Sequence, residues 1–408
     1  MTGRSERPLR VLHVVTGLAS GGAERQLLLT VRNLPAHQRC EVVALTNPGT
    51  VAAALRADGV PVHDLAMTGN RDVGALPRLT RLIRDGDFDL VHTHLYRAGL
   101  YGRLAARLAG VRAVLATEHS LHPGVIEGRP VTPGVKGLYL AAERLGRTTV
   151  AVSRQVERTL HGWGVPPARV ELIPNGIDAA RYARPAAERA AVRRRLRTEL
   201  GLPQDSWVIG GLGRLVPGKR FDVLLEALRE LVGPGPSGPW LVLVGEGPER
   251  SALECRAHEL GVRGRLVLTG ERDDVPELLT ALDVLAAPSV EETFGLGVLE
   301  ALAAGLAVRH SACPALDELP AGAAPGVRRI RSDAATYASE LRELHASHGP
   351  HRRSGPGGPP PSGPPAAVAH YDIARVGAEL GALYDRLVPA ARRAESRARL
   401  PGRATSGP

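Results

Sequence analysis

At 408 residues the chain exceeds one ordinary domain, so two domains of usual size are expected. Hydrophobic residues make up 43% and aromatic residues only 3%, with Ala, Val and Leu in their place, a composition suited to buried parallel strands under helices. The net charge of +10 comes without interleaved aromatics or a recognisable module, which excludes nucleic acid; three scattered cysteines (Cys40, Cys255, Cys313) exclude a disulfide framework.

From the amino terminus, MTGRSERPLR runs straight into VLHVV with no apolar leader. No apolar run nears the ~18 residues of a membrane span. A cytoplasmic protein is expected, with the inner face of the membrane left open as a peripheral contact. Strand-like and helix-like runs then alternate, the mark of βαβ units and parallel sheets. Strands read VLHVV (11–15), CEVVALT (40–46), VPVHDL (60–65), DLVHTH (89–94), AVLATEH (113–119), TTVAVS (148–153) and VELIPNG (170–176). The intervening AERQLLLTVRNL sets Ala23, Leu27, Leu28, Val31 and Leu34 on one helical face.

A polar helical stretch at 185–200 precedes a fresh strand, WVIGGLG (207–213), and the alternation restarts with WLVLVG (240–245), RLVLTG (265–270) and VLAAPS (284–289). The reading is an α/β chain of two Rossmann-like, doubly wound parallel sheets facing a cleft: domains 8–180 and 181–345. Residues 346–366 read as a disordered Pro/Gly linker, 367–388 as a helix packing back toward the first domain, and 389–408 as a disordered tail.

In open α/β sheets ligands bind past the carboxyl ends of the strands. Three segments sit there. TGLASGGAERQ (16–26) follows the first strand, with Gly21 and Gly22 before a helix whose amides suit an anion. GLGRLVPGKR (211–220) is nearly a Walker loop, but Arg220 stands where Ser or Thr would hold Mg²⁺. Its Arg214 and Lys219 suit one diphosphate. PSVEETFGLGVLEALAAG (288–305) carries Glu292 and, eight residues on, Glu300, flanking a helix start at Phe294, Gly295 and Leu296. Each segment also has a purely structural reading: an ordinary turn, solvated cations, acids about a helix start.

Together these segments resemble the GT-B glycosyltransferases of retaining family four. The resemblance covers about residues 9–345 and rests on Glu292-TFGLGVL-Glu300, the Arg214…Lys219 segment, ELIPNGID (171–178) and the first glycine-rich loop. It implies that Arg214, Lys219 and the amides of Phe294, Gly295 and Leu296 hold the diphosphate of a nucleotide sugar. Glu300 would bind the ribose, Glu292 the transferred sugar, and the chain at Arg272 would meet the base. His119 would face the donor sugar, and Gly21 and Gly22 would approach sugar and phosphate.

The implied reaction moves a UDP- or GDP-linked sugar onto an acceptor hydroxyl, with retention, the leaving phosphate taking the acceptor proton. Glu292, His119, Arg214 and Lys219 are the catalytic expectations, in cell-surface polysaccharide or glycolipid synthesis on a carbohydrate or lipid-linked acceptor. No cofactor or metal is expected, since the cations take a metal's part; the nearest acidic pair, Asp273-Asp274, reads as a helix N-cap. A sugar-nucleotide 2-epimerase, a phosphorylase-like enzyme and a degenerate non-catalytic homologue are the alternatives. The departure from the family pattern is LAVRHSACPALDELP after Gly305, where Cys313-Pro314 replaces a Gly-Gly turn. His92 and His94 share a strand face at a spacing open to a metal, but with no acidic or thiol partner nearby they read, like His13, as satisfied core histidines. The basic stretches 69–84 and 97–112 (Arg97, Arg103, Arg107, Arg112) read as loops that either face an anionic membrane or are simply solvated.

Overall fold

Apolar strands too hydrophobic to alternate, such as LRVLHVV and WLVLV, demand cover on both faces, and the chain provides it by winding helices about two separate parallel sheets. The computed structural model describes residues 7–19, 21–69, 72–233, 238–348 and 364–389. Two units result: residues 1–176 with 373–408, and residues 177–372.

The first unit runs β1 (Leu9–Val15), α1 (Gly22–Asn33), β2 (Gln38–Ala44), α2 (Gly49–Ala57), β3 (Val62–Asp64), α3 (Ala75–Asp85), β4 (Leu90–His94) and α4 (Tyr96–Leu108). It continues through β5 (Ala113–Glu118), the short hairpin β6 (Val125–Ile126) and β7 (Arg129–Pro130), α5 (Pro133–Glu143), β8 (Thr148–Ala151), α6 (Arg154–Trp163) and β9 (Val170–Leu172). Its sheet order is β3-β2-β1-β4-β5-β8-β9, every neighbour parallel. Helix ends follow local chemistry. Ser153 accepts from the Val156 amide to open α6, and Gly164, at φ 102°, closes it.

The second unit holds α7 (Ala186–Glu199), β10 (Val208–Leu212), α8 (Phe221–Leu231), β11 (Trp240–Val244), α9 (Arg250–Glu259), β12 (Leu266–Leu268), α10 (Val275–Ala281) and β13 (Val284–Ala287). Then come α11 (Leu296–Ala303), β14 (Ala307–His310), α12 (Pro314–Asp317), β15 (Val327–Arg329), α13 (Ala334–His348) and α14 (Ala366–His370). The order is β12-β11-β10-β13-β14-β15, again all parallel. Phe221, Leu224 and Leu228 of α8 bury against Leu241 and Leu243, each such side chain contributing about 1.5–3 kcal/mol. The last helix, α15 (Ile373–Leu387), belongs to the first unit, where Val376, Leu380 and Tyr384 join Leu9, Val11 and Leu115 in one core.

Several expectations change. The division falls after Gly176, and the chain changes units again after Asp372. The single helix expected over 367–388 is two, because Asp372 forms a parallel bridge with Ile177 and the Ile177 amide donates to the Tyr371 carbonyl (2.7 Å), which takes these residues out of helical pairing. The expected loops at 69–84 and 97–112 are largely helices α3 and α4. Arg103 is not a surface charge: it is 1% exposed, bonds Thr149 Oγ1 (3.1 Å) and lies over the Tyr139 ring. Residues 346–348 are the end of α13; the rest of the expected linker (349–363) and tail (390–408) lies outside the described residues. Among the described residues, no helix is long and apolar enough to cross a membrane.

Candidate functional site

In the second unit the strand order reverses direction between β10 and β13, which pair as Ile209↔Val284 and Gly210↔Leu285. That reversal opens a crevice at the carboxyl ends of the two strands. The loops leaving them are 213–220 and 288–295, and the Val290 amide donates to the Gly218 carbonyl (3.0 Å). Lys219 and Glu292, 73 residues apart in sequence, form an ion pair through Nζ and Oε1. Both remain partly open, with 22% and 16% of their side-chain surface exposed. Arg214, on the same loop as Lys219, is exposed and has no ion-pair partner among the described residues.

The 288–295 loop is held by its last residues. Phe294 is buried and meets the Tyr371 ring edge-on at 5.0 Å. Gly295 caps α11 in the left-handed region (φ 101°), and a Cβ there would lie 2.5 Å from Cys313 Sγ. Glycine is therefore required twice over. The Ala315 amide donates to the Phe294 carbonyl (2.9 Å). The unusual Cys313-Pro314 step thus starts α12, with Pro at the position where a missing N–H costs nothing, and leaves β14 paired to β13 and β15. Leu296 opens α11, whose first amides lack intrahelical partners. Glu300 lies on α11, half-buried.

Arg272 is placed differently. Its guanidinium bonds Asp274 (2.8 Å) and Glu199 (2.9 Å), and the Asp274 bond above all holds it protonated beyond its ordinary range. Asp274 sits at the N-cap of α10, but its carboxylate bonds Arg272 and makes no cap hydrogen bond, so the expected capping role is not performed.

In the first unit the order reverses between β1 and β4. There the polar groups are buried histidines. His13 Nδ1 lies 3.0 Å from His94 Nε2, and His94 Nδ1 lies 3.2 Å from His119 Nε2. His92 bonds the Tyr384 hydroxyl (2.6 Å) and Thr117 Oγ1 (2.7 Å). Burial pushes His13 down to about 3. It pushes His119 down to about 4, partly opposed by a bond with Asn175. His92 and His94 are also held well below the ordinary value, by burial first, and then by the charge of His13 on His92 and of His92 on His94. Glu118, next to His119, is raised by burial and accepts from the Tyr139 hydroxyl (2.9 Å).

Gly21 and Gly22 open α1. Gly21 has an ordinary φ of −69°, and the one close neighbour of a Cβ there would be the movable carboxylate of Glu24, so the local backbone does not itself require glycine. Gln26 clasps Gly176 twice, donating to its carbonyl (2.7 Å) and accepting from its amide (2.9 Å).

The structure therefore joins Lys219 to Glu292 and puts Arg214, Phe294, Gly295, Leu296 and Glu300 on the same pair of loops or the helix after them. Gln26, Tyr371 and Tyr384 escaped the sequence reading, which noted His94 and Cys313 but gave them no part in the site. The HTH alternation was the one available signal; that His13 pairs with His92 depends on β1 neighbouring β4, which sequence order hides.

Residues 20–181 match Glycosyltransferase Family 4 and residues 192–352 match Glycosyl transferases group 1. A 2-deoxystreptamine glucosyltransferase from Streptomyces kanamyceticus is 31% identical over 328 residues, covering 73% of this chain and 81% of that protein. The chain belongs to glycosyltransferase family 4.

The UDP-Gal:alpha-D-GlcNAc-diphosphoundecaprenol alpha-1,3-galactosyltransferase of Escherichia coli is 31% identical over 257 residues, which cover 62% of this family-four chain and 65% of that relative, just under two thirds of its length. Among solved structures, HepE from Anabaena in complex with UDP and glucose aligns with a TM-score of 0.71 at 20% identity, over 96% of this chain and 100% of that one. Sucrose-phosphate synthase from Thermosynechococcus elongatus aligns at 0.72 and 20% identity, over 93% and 99%. These likenesses show the fold, the paired parallel α/β domains of GT-B glycosyltransferases.

Proposed function

We propose that this family-four protein transfers a sugar from a UDP- or GDP-linked donor to an acceptor hydroxyl, with retention, in the synthesis of a cell-surface polysaccharide or glycolipid. The observation that carries this reading is the Lys219–Glu292 pair, which unites the cationic loop and the acidic motif at one strand-order reversal. Support comes also from relatives named as galactosyl- and glucosyltransferases.

In the proposal a donor diphosphate takes Lys219 and Arg214 as counter-charges and the amides of Phe294, Gly295 and Leu296, leading into α11, as hydrogen-bond donors. Its arrival draws Lys219 off Glu292 and releases that carboxylate to the hydroxyls of the transferred sugar. Glu300 takes the ribose and the main chain at Arg272 the base. His119, with Gly21 and Gly22, is the amino-terminal unit's proposed contribution to the sugar and phosphate. With two cations at the leaving group, we propose turnover without a metal or cofactor, so that EDTA leaves it unchanged.

The acceptor is proposed to be carbohydrate or lipid-linked. Leu104 and Leu108, one turn apart and exposed on α4, lie among exposed Arg107 and Arg112, and this combination supports peripheral contact with an anionic leaflet; co-sedimentation with anionic vesicles checks it. The reading as a whole is tested by titrating UDP, GDP and their sugars while following thermal stability and released nucleotide. Binding and acceptor-dependent release of UDP or GDP are expected. Failure of every nucleoside diphosphate to bind overturns the proposal, and isomerised donor as the product makes it an epimerase.

A further inference from the structure

Three histidines from three strand ends of the first unit line up nitrogen to nitrogen. His13 stands on β1, His94 ends β4, and His119 directly follows β5. The two contacts, 3.0 and 3.2 Å, are of hydrogen-bond length. The rings of His94 and His119 are stacked, with centroids 5.5 Å apart and planes 22° from parallel. All three side chains are at least nine-tenths buried. His92, though only 4.1 Å from His94 by centroid, stands outside this line, because both its nitrogens meet hydroxyls.

A neutral imidazole has one N–H and one lone pair, so a line of them must run head to tail, and fixing one proton fixes all. Burial keeps each of the three neutral. Two directions are open. In one, His94 Nδ1–H donates to His119 Nε2 and His13 Nδ1–H to His94 Nε2, so all three rings are Nδ1–H. In the other, His119 Nε2–H donates to His94 Nδ1 and His94 Nε2–H to His13 Nδ1, so all three are Nε2–H. One ring of the opposite tautomer would set two N–H groups, or two lone pairs, against each other at 3.0 or 3.2 Å.

We infer that His94 is a positioning residue for His119, and that the line of His13, His94 and His119 holds all three rings in one shared tautomer. The inference rests on the reading of His119 as the amino-terminal unit's contact with the sugar. Its consequence is specific: the tautomer that His119 presents is fixed together with that of His13, two strands away.

The same cluster places one donor atom each of His13, His92 and His94 within 4.8 Å of one another, a spacing a cation could use. Those nitrogens already face Tyr384, Thr117 and each other, and a metal would have to displace them. It enters as an outcome of the test.

Long-range ¹⁵N–¹H correlation spectra of the full chain, labelled at histidine and recorded at pH 7 with and without EDTA or Zn²⁺, read each tautomer directly. One common tautomer is expected at His13, His94 and His119, unmoved by metal. Mixed tautomers among the three, an imidazolium at any of them, or a zinc-dependent shift of His13, His92 and His94 together, overturns the assignment. In kinetics, His94→Leu is expected to lower kcat at least tenfold with donor KM within about threefold. His94→Asn, whose amide can donate or accept in place of Nδ1, should recover most of that loss. Equal loss in both variants, or none in His94→Leu, overturns the positioning role. If His94→Leu does not fold, the wild-type spectrum and His13→Leu carry the same decision. Absence of transfer by the wild-type chain would defeat the transferase reading, leaving the spectrum to judge the histidine line.

Discussion

The two units build the same crevice and fill it with opposite chemistry. Each sheet reverses its strand order beside its first strand, at β1/β4 in one and β10/β13 in the other. In the first unit the reversal is lined by neutral histidines with 0–9% of their surface exposed, and in the second by partly open cations and carboxylates. Topology decides where a site forms; burial decides whether it holds charge. A dry crevice orients through hydrogen bonds that salt and pH hardly reach until the fold itself yields. A wet one keeps charges ready for a charged ligand.

The largest test of that contrast is acid. His13 and His119 titrate near 3 and 4 in the folded chain, below the ordinary value near 6.5. The unfolded chain therefore binds protons first as pH falls. The stability these groups confer is complete above about 6.5 and is lost on the way down to their folded values. For His13 alone the loss from pH 7 to pH 5 is about 2 kcal/mol, and His92, His94 and His119 add with the same sign. Amide-exchange protection, corrected for intrinsic rates, should fall much more in β4 than in β10 between those pH values. Equal losses in the two strands would erase the proposed difference between a dry and a wet crevice.

How legible each crevice was in the sequence follows the same division. Chemistry of the wet kind advertises itself: Arg214, Lys219 and Glu292 lie in glycine-rich turns and Glu300 on the helix after one, and local pattern was enough to single them out. Continuous apolar runs likewise marked most strands, because a buried parallel strand is recognisable by itself. The dry crevice is a product of pairing. His13, His94 and His119 are spread over 107 positions in three strands, and only the neighbourhood of β1, β4 and β5 makes them a line. Cys313 is similar. Its place depends on the Cβ-free surface of Gly295, which no local rule connects to a residue 18 positions away. The two-part ending at α14 and α15 was hidden because the bridge between Ile177 and Asp372 joins segments remote in sequence.

The next effect sharpens the wet side by separating its scaffold from its charges. Gly295→Ala must adopt φ near 101° and press a methyl on Cys313 Sγ. The left-handed backbone costs roughly 1–2 kcal/mol and the overpacking about 1–3 more. Urea unfolding should show a loss of about 2–5 kcal/mol, and adding Cys313→Gly should return the overpacking part only. No recovery in the double variant would mean that backbone conformation alone sets the glycine. Lys219→Ala should do the reverse: a partly exposed pair contributes about 0–1 kcal/mol to folding, yet the Kd for UDP or GDP should rise about 10- to 100-fold by calorimetry. A stability loss larger than the binding loss would make Lys219 a structural residue and the crevice no wetter than its counterpart.

The smallest effect returns to the dry side. The Tyr384 hydroxyl on α15 hydrogen-bonds His92 Nδ1 at 2.6 Å, and both groups are fully buried. Tyr384→Phe keeps the ring among Leu9, Val11 and Leu115 and removes only that oxygen, so the core is unchanged in shape. The cost is then that of one buried nitrogen without a partner, about 1–3 kcal/mol. His92 lies outside the line from His13 to His119, so kcat for transfer should stay within about twofold while the urea midpoint drops. A kcat that falls as steeply as in His94→Leu would show that the whole histidine cluster, and not one ordered row within it, sets the orientation of His119.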